Sequence, residues 1–196
     1  MPEPDKSNDK KSNIIDAAFS CFTSYGFKRT NMADIAKAAG MSRPALYLLF
    51  ENKRDIGRAM VRKLKDASLY EAKTALQTEQ PIAERLATAF HARETAFLEI
   101  IEDSAHGREL FDTGMELAED IIQDGKAEFS KVLQRSLRMA VRDGQINLTA
   151  SGLSVPRLAE ILIHGAHGQK TDASNAKILR RRIDDFLVLV MAGLLT

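Results

Sequence analysis

Residues 42–47 contain the side chains best suited to read the edge of a DNA base. Arg43 carries a planar guanidinium that can donate two parallel hydrogen bonds to O6 and N7 of a guanine. Pro44 and Ala45 offer apolar surface that suits a thymine methyl group, although packing at a helix start explains them equally well. With Tyr47, these residues form the exposed N-terminal part of a predicted helix. We expect these four side chains to contact bases.

Two short helices joined by a tight turn must position these residues. Asn31 is a natural N-cap for the first helix, and Asp34 places a carboxylate beside its free N–H groups. Gly40 can take the left-handed backbone that ends a helix, and Ser42 can cap the second helix. The buried face of the second helix is predicted to hold Leu46, Leu49 and Phe50. The pattern indicates a helix-turn-helix, in which the second helix enters the major groove.

The order of residues across this segment resembles the N-terminal DNA-binding domain of the TetR family. The resemblance covers about residues 12–56, and its matching segments are GFKRTNMADIA from residue 26, AGMS from residue 39, and Leu46, Tyr47, Phe50, Asn52 and Lys53. It implies an all-α homodimeric transcription factor, usually a repressor. It also implies that the C-terminal domain holds a ligand pocket and the dimer interface.

The resemblance also implies a set of contacts to the DNA backbone. It assigns phosphate contacts to Thr30, Asn31, Ser42, Tyr47 and Lys53. Arg29 flanks the first short helix and adds positive charge.

The chain departs from the family at residues 48 and 49, where polar or aromatic side chains are common. Here both positions are leucine. We expect Leu49 to join the core and leave the role of Leu48 open, so that a contact with DNA from this end of the helix is in question.

Composition and periodicity predict an all-α protein with two domains. The chain has 196 residues, of which 44% are hydrophobic, and its apolar residues recur with a period near 3.6. We predict a disordered arm over residues 1–11, the helix-turn-helix domain over 12–56, and a helical ligand-binding and dimerisation domain over 57–196. Long helices are expected over 54–76, 81–103 and 113–143.

The charge is distributed unevenly along the chain. Residues 1–65 hold 13 Lys and Arg against 7 Asp and Glu, whereas the remaining residues hold 15 against 20. A basic N-terminal third is expected when only that end meets phosphate. The alternative is that these Lys and Arg residues only occupy solvent-exposed helix faces.

The sequence favours a cytoplasmic protein that makes no contact with membranes. Its longest strongly apolar run, residues 186–195, is too short to cross a bilayer, and the polar N-terminus lacks the apolar core of a signal peptide. Cys21 is the only cysteine, so an intramolecular disulfide is impossible. We interpret Cys21 as a small residue at the edge of the core rather than a redox switch.

Two C-terminal segments, 154–168 and 176–195, carry apolar stripes at helical spacing. Two such helices from each subunit could form a four-helix dimer interface, with Gly165 allowing close approach of backbones. Closure of the monomer's own core is the alternative. The predicted interface comprises Leu158, Ile161, Leu162, Gly165, Leu179, Ile183, Phe186, Leu187, Val190 and Leu194.

A ligand pocket is harder to place. Aromatic and histidine side chains on the middle helices could surround a cavity, although such a stripe is more often plain core. The candidates are Phe90, His91, Phe97, Phe111, Met115, Phe129 and His164. His164 and His167 lie one helical turn apart, but two histidines without a third ligand are weak evidence for a metal, and we expect neither metal nor cofactor.

These features predict a homodimeric repressor that binds a palindromic DNA operator and is released by a small-molecule ligand. The alternative is a helical dimeric protein-interaction module that has lost sequence-specific DNA binding. An enzyme is not expected, because the sequence contains no Gly-rich phosphate loop, nucleophile elbow or Cys–His constellation.

Overall fold

The computed structural model describes residues 6–195, which form ten α-helices and no β-strand. One isolated antiparallel bridge joins Ile146 and Leu195. The all-α prediction is therefore confirmed for this part of the chain. The helices are α1 (Lys6–Tyr25), α2 (Met32–Ala38), α3 (Arg43–Tyr47), α4 (Lys53–Ala75), α5 (Ile82–Glu94), α6 (Ala96–Glu102), α7 (Gly107–Leu117), α8 (Glu119–Arg142), α9 (Val155–Gly168) and α10 (Ala176–Met191).

The N-terminal segment differs from its prediction. Residues 6–11 belong to α1, so the expected disorder is wrong for them, while residues 1–5 lie outside the described residues. Asp9 lies in the first turn of α1, where a carboxylate stabilises the positive end of the helix dipole.

The middle of the chain is divided into more helices than the periodicity predicted. The expected helix over 81–103 is interrupted at Thr95, and the one over 113–143 is replaced by α7 and α8, which meet at Ala118. Gly107 and Gly114 have low intrinsic helix propensity, which hid α7 from the sequence. Both are buried, and a Cβ on Gly114 would lie 3.4 Å from Val61 of α4, so α7 packs closely against α4 at this position.

Contacts divide the chain into two compact units. The first unit contains the residues up to Lys65 together with Ile100–Ile122, and the second contains Asp66–Glu99 and Gln123–Thr196. The division differs from the predicted boundary at residue 56, because α7 packs against α1 within the first unit. The first unit has a core built from α1 to α4 and α7.

The second unit buries most of the stripe that was predicted to form a dimer interface. Within the core formed by α5 and α8 to α10, six members are 5% exposed or less: Leu158, Leu162, Leu179, Ile183, Leu187 and Leu194. The prediction that they face a partner is wrong, since they close the monomer's own core. Ile161, Gly165, Phe186 and Val190 are only partly buried.

Gly165 permits a contact within the protomer rather than between backbones of two subunits. A Cβ at this position would lie 2.1 Å from Cζ of Phe186. The phenyl ring therefore occupies the space that a larger residue on α9 would need.

None of the helices in the described part of the chain combines the length and apolar character needed to cross a membrane.

Candidate nucleic-acid interface

Side-chain caps define the start of α2. Oδ1 of Asn31 accepts hydrogen bonds from the backbone N of Ala33 at 2.8 Å and of Asp34 at 3.1 Å, while Oδ2 of Asp34 accepts from the Asn31 N at 2.9 Å. This reciprocal capping box satisfies backbone donors that the helix itself leaves unpaired. The predicted helix start and the role of Asn31 as N-cap are confirmed.

The turn after α2 is held by backbone and side-chain hydrogen bonds. Gly40 has φ +67°, and the N–H of Met41 donates to the carbonyl of Ala36 at 3.0 Å, which closes a glycine C-cap. Asn13 of α1 donates its Nδ2 to the carbonyl of Ala39 at 3.1 Å. The angle at which α3 leaves α2 is therefore set by local chemistry and by α1.

The recognition helix, α3, begins at a cap and presents a polar surface. Oγ of Ser42 accepts from the backbone N of Ala45 at 3.3 Å, and Pro44 occupies the first turn. Arg43, Pro44 and Tyr47 are exposed, and Ala45 is partly so. Three of the four predicted base readers are thus fully available to a ligand, while Leu46 anchors the helix in the core.

Arg43 rests along its own helix on Tyr47. Its Nη2 donates to the Tyr47 hydroxyl at 3.3 Å, and its Cζ lies 5.6 Å from the ring centroid. An exposed contact of this type stabilises one rotamer only weakly. It places the guanidinium along the exposed side of α3.

The two leucines after Tyr47 have different environments. Leu49 is partly buried and packs on the core of the first unit, as predicted. Leu48 is 86% exposed at the C-cap of α3. An apolar side chain therefore extends from the recognition helix at the position where polar or aromatic residues were expected.

Thr30 is a structural residue rather than an available phosphate contact. It is 2% exposed, and its hydroxyl donates to the Gly26 carbonyl at 2.8 Å and to the Cys21 carbonyl at 3.4 Å. The sequence shows a threonine beside an N-cap but gives no sign that its hydroxyl satisfies the end of α1.

Lys53 also acts within the protein. Its Nζ donates to the carbonyls of Phe27 and Thr30, both at 2.7 Å, and to that of Lys28 at 3.4 Å, and it lies 4.6 Å from the centroid of the Phe27 ring. Three carbonyl partners match the three N–H donors of an ammonium group. Burial lowers the pKa of Lys53, and the charge of Glu109 partly counters that effect. We therefore assign Lys53 to holding the 26–30 loop.

Glu109 of α7 is a second support for this loop, and the sequence analysis missed it. Its Oε1 accepts from the backbone N of Lys28 at 3.0 Å, and a Cβ on Gly26, whose φ is +87°, would lie 2.6 Å from its Oε2. Because 81 residues separate Lys28 from Glu109, no local pattern in the sequence could reveal this contact.

Arg29 lies beside a second cation, Lys37, where both line a shallow cavity of about 680 Å³. Both side chains are exposed, which agrees with the predicted contribution of Arg29 to positive charge. Cys21 also lines this cavity but is itself buried. Burial and the nearby carboxylate of Asp34 raise the pKa of its thiol, which agrees with its interpretation as an unreactive core residue.

The predicted ligand-binding residues are divided between the two units. Phe90 and Phe129 are buried in the core of the second unit and pack edge to face at 5.4 Å between centroids. Phe111 and Met115 lie on α7 of the first unit, and Met115 is exposed.

The two histidines of the set lie in different environments. Nε2 of His91 lies 2.8 Å from Oδ1 of Asp184, and His164 is exposed. Phe97 is partly buried in the second unit. Helical spacing alone did not show which of these residues are buried and which are exposed.

Comparison with known proteins matches the same part of the chain. The family model for bacterial regulatory proteins of the tetR family matches residues 14–60. An uncharacterized HTH-type transcriptional regulator, YhgD of Bacillus subtilis, is 24% identical over 138 residues, covering 70% of each protein. The HTH-type transcriptional regulator TtgR of Pseudomonas putida is 37% identical over 60 residues, which are 31% of this chain and 29% of TtgR.

Solved structures share the fold over nearly the whole chain. SmeT, the repressor of a multidrug efflux pump of Stenotrophomonas maltophilia, aligns with a TM-score of 0.66 at 23% identity, covering 95% of this chain and 90% of SmeT. A structure of SmeT in complex with triclosan aligns with a TM-score of 0.63. The fatty acid degradation regulator FadR of Bacillus halodurans aligns with a TM-score of 0.65 at 18% identity, covering 91% and 94%.

Proposed function

Since the chain belongs to the TetR family of bacterial regulatory proteins, we propose that it is a homodimeric repressor that binds a palindromic DNA operator and is released by a small molecule. The observation that carries the proposal is the exposed, capped recognition helix with Arg43 on its outer face.

Arg43 is the principal base reader in this proposal. Its guanidinium is exposed, and its partner within the protein is a tyrosine hydroxyl rather than a carboxylate, so that binding a guanine displaces only a weak contact. Asn31 and Ser42 cap the N-termini of α2 and α3, and Tyr47 ends α3. These three side chains supply the neighbouring polar contacts to phosphate. Lys53 and Thr30 support these residues from inside the domain.

Dimerisation is part of the mechanism because one recognition helix reads too few base pairs for genomic specificity. We propose that the outward face of α10 forms the interface between two copies. Val188 is 67% exposed and Leu189 is 78% exposed, and they are flanked by the partly buried Phe186 and Val190. The two most exposed large apolar residues of α10 are thus adjacent on that helix.

Release by a ligand is proposed from the resemblance to SmeT, which has been solved with triclosan bound. Linkage requires that a ligand which lowers operator affinity is itself bound less tightly when the operator is present. The proposal therefore predicts reciprocal effects that can be measured in one titration series.

The experiment is fluorescence anisotropy of the full chain on the DNA upstream of its own gene and on scrambled DNA, across a series of salt concentrations. We expect salt-sensitive binding that prefers the upstream DNA, with two protomers per site. Arg43→Ala should reduce the preference by about 5-fold to 150-fold, the value of one bidentate base contact.

Arg138→Ala is the matched control, because Arg138 is an exposed arginine on α8, away from the proposed interface, and its loss changes the net charge equally. It should retain the sequence preference of the parent. Equal binding of the parent and Arg43→Ala to every sequence in a selection from random DNA would disprove the proposed reader.

Leu48 favours a second candidate function, a dimeric module that contacts proteins and has lost sequence-specific DNA binding. An 86% exposed leucine beside the recognition surface is typical of a protein contact rather than a phosphate contact. The random-DNA selection separates the two functions, since this module would enrich no sequence at all.

A further inference from the structure

The second unit contains a cavity that the sequence analysis did not anticipate. Its volume is about 420 Å³, and its lining comes from the end of α4, the segment that follows it, Arg85 of α5 and the second half of α8. None of the seven predicted ligand-binding residues contributes to it. Cavities of about 300–1,000 Å³ are typical of small-molecule sites.

Arg85 places a buried positive charge at the wall of this cavity. The residue is 8% exposed and lines the cavity. Its Nη2 donates to Oε1 of Gln145 at 2.9 Å and its Nη1 to the Leu76 carbonyl at 3.4 Å, whereas its Nε is buried and has no hydrogen-bond partner. Both partners are uncharged oxygens. A buried guanidinium with neutral partners and an unused N–H is costly unless an anion accepts from it.

The remaining charges around the cavity are also predominantly positive. Lys73, Lys131 and Arg135 line it together with two acidic residues, Glu79 and Asp143. Oδ1 of Asp143 accepts from Nε of Arg142 at 2.9 Å, so one of the two carboxylates is already paired. The electrostatic field therefore favours an anion over a cation or a neutral molecule.

Apolar side chains complete the lining. Leu76 is buried, Val132 is partly buried and Met139 is exposed on the cavity side of the same unit. An inorganic ion would leave this surface in contact with water only. A ligand that carries both a charged group and a hydrocarbon body uses both kinds of surface.

We propose that this cavity binds a small organic anion, with its carboxylate or phosphate on Arg85 and its apolar body against Leu76, Val132 and Met139. A guanidinium matches the oxygen geometry of both headgroups. Arg135 and the two lysines raise the local concentration of the anion at the mouth. The assignment of this cavity as the effector site depends on the proposed function, whereas binding of the anion does not.

Isothermal titration calorimetry of the full chain without DNA tests the site. The probes are benzoate, phenyl phosphate, inorganic phosphate and the neutral benzyl alcohol, each up to about 10 mM, ten times a millimolar Kd. We expect one organic anion per protomer and no binding of benzyl alcohol. Whichever of benzoate and phenyl phosphate binds more tightly identifies the headgroup.

Three variants locate the binding. Arg85→Met should weaken it by about 10-fold or more, the value of a hydrogen bond to a charged group, and Arg135→Ala by a smaller factor. Since Arg135 is exposed, this second variant tests the site even if the buried substitution alters the fold. Arg138→Ala is the control, because Arg138 is an exposed arginine on α8 that donates to Gln134 and does not line the cavity.

Several results would overturn the inference. They are the absence of binding by both organic anions, equal affinity of the parent and Arg135→Ala, binding of inorganic phosphate alone, and binding of benzyl alcohol as tight as that of benzoate. A chain that binds its operator but neither organic anion would contradict this inference and leave the proposed function intact. The converse result would contradict the proposed function alone.

Discussion

The recognition helix and the C-terminal helices carry apolar stripes of the same kind, but they use them differently. In α3, Leu46 is buried and the adjacent Arg43 and Tyr47 remain exposed. In α9 and α10, the regular stripe is buried in the core of the second unit, and the two most exposed apolar residues, Val188 and Leu189, lie off that stripe.

This difference shows what a helical period can and cannot establish. The period identifies the side chains that share a face, but it does not say whether that face packs on the same chain or on a second copy. In α3 the ambiguity is small, because a five-residue helix with two polar exposed residues has only one apolar side to bury. In α10 two apolar sides compete, and the one with the more regular spacing forms the core.

The largest effect is expected when charged residues are placed on the outward face of α10, the proposed dimer interface. Val188→Glu combined with Leu189→Glu should produce a monomer and lower operator affinity by at least about 30-fold, since losing two central interface residues costs more than about 2 kcal/mol. Sedimentation velocity and anisotropy measure the two effects. Tyr70→Glu is the control, because it places a charge at an exposed aromatic residue of a different helix, α4. This variant should remain dimeric. A double variant that stays dimeric would place the interface elsewhere.

The contact between α9 and α10 can be tested inside the protomer. Gly165→Ala places a Cβ 2.1 Å from Phe186, so the ring must move, and we expect a loss of about 2–3 kcal/mol in the free energy of unfolding. Gly168→Ala is matched on the same helix, where a Cβ meets nothing within 4 Å. It should be neutral or stabilising in urea denaturation. Equal midpoints for the two variants would contradict the packing role of Gly165.

Lys53 separates a structural role from a contact with DNA. Lys53→Met removes the donor to the Phe27 and Thr30 carbonyls, and we expect it to cost about 2 kcal/mol in stability. Operator affinity should fall at every salt concentration while the slope of log K against log salt stays the same. A direct phosphate contact would instead lower the slope by about one.

Lys28→Met is the control for this prediction, because it removes the same charge from an exposed side chain of the same loop. It should leave the urea midpoint close to that of the parent. If Lys53→Met lowered the slope of log K against log salt and left the stability unchanged, Lys53 would be a direct phosphate contact.

The ionisation of Glu94 in the second unit should make the free energy of unfolding depend on pH. Burial raises the pKa of Glu94, but two nearby side chains outweigh this effect and lower the pKa from 4.5 to about 2. They are His167, whose Nδ1 lies 3.5 Å from Oε2, and Lys170, whose Nζ lies 2.8 Å from it. The ionised form is therefore bound more tightly in the folded state. Its stabilisation is present above pH 4.5 and is lost as the pH falls toward 2.

Glu94→Gln should lower the free energy of unfolding at pH 7 by an amount on the order of 2 kcal/mol, and the difference from the parent should shrink between pH 4.5 and 2. Urea denaturation across that range measures it. Glu160→Gln, which alters an exposed carboxylate paired with Arg157, should follow the parent. A constant difference across the range would contradict the assigned pKa.

The sequence was most informative where structure depends on neighbours in the chain. The Asn31 cap, the Gly40 turn and the Ser42 cap are local devices, and the structure confirms all three. The role of Lys53 depends on carbonyls 23–26 residues away. The hydroxyl of Thr30 donates to the nearby Gly26 carbonyl, but the burial that hides it from a ligand is not visible in the sequence. Sequence can show that a lysine is present but not that its three donors are already used.

The same limit explains the misassigned interface and the cavity that the sequence did not reveal. The partners that bury the α9 and α10 stripe, and the Gln145 that partners Arg85 from 60 residues away, are set by how distant helices meet. A buried arginine looks like any surface arginine in a sequence, because its spacing carries no sign of what covers it. Only the three-dimensional structure shows that its Nε lacks a partner.

Substitution of Leu48 has the smallest expected effect on stability, and it distinguishes the two proposed functions. Leu48→Asn should change the free energy of unfolding by less than about 0.5 kcal/mol, since the side chain contributes little to the core. If α3 reads DNA, a polar residue beside Tyr47 leaves operator binding unchanged or strengthens it modestly through an added phosphate contact. Loss of a protein partner with unchanged DNA binding would instead assign this leucine to a protein interface. Leu49→Asn, which places a polar group against the core of the first unit, should be clearly destabilising and so calibrates the measurement.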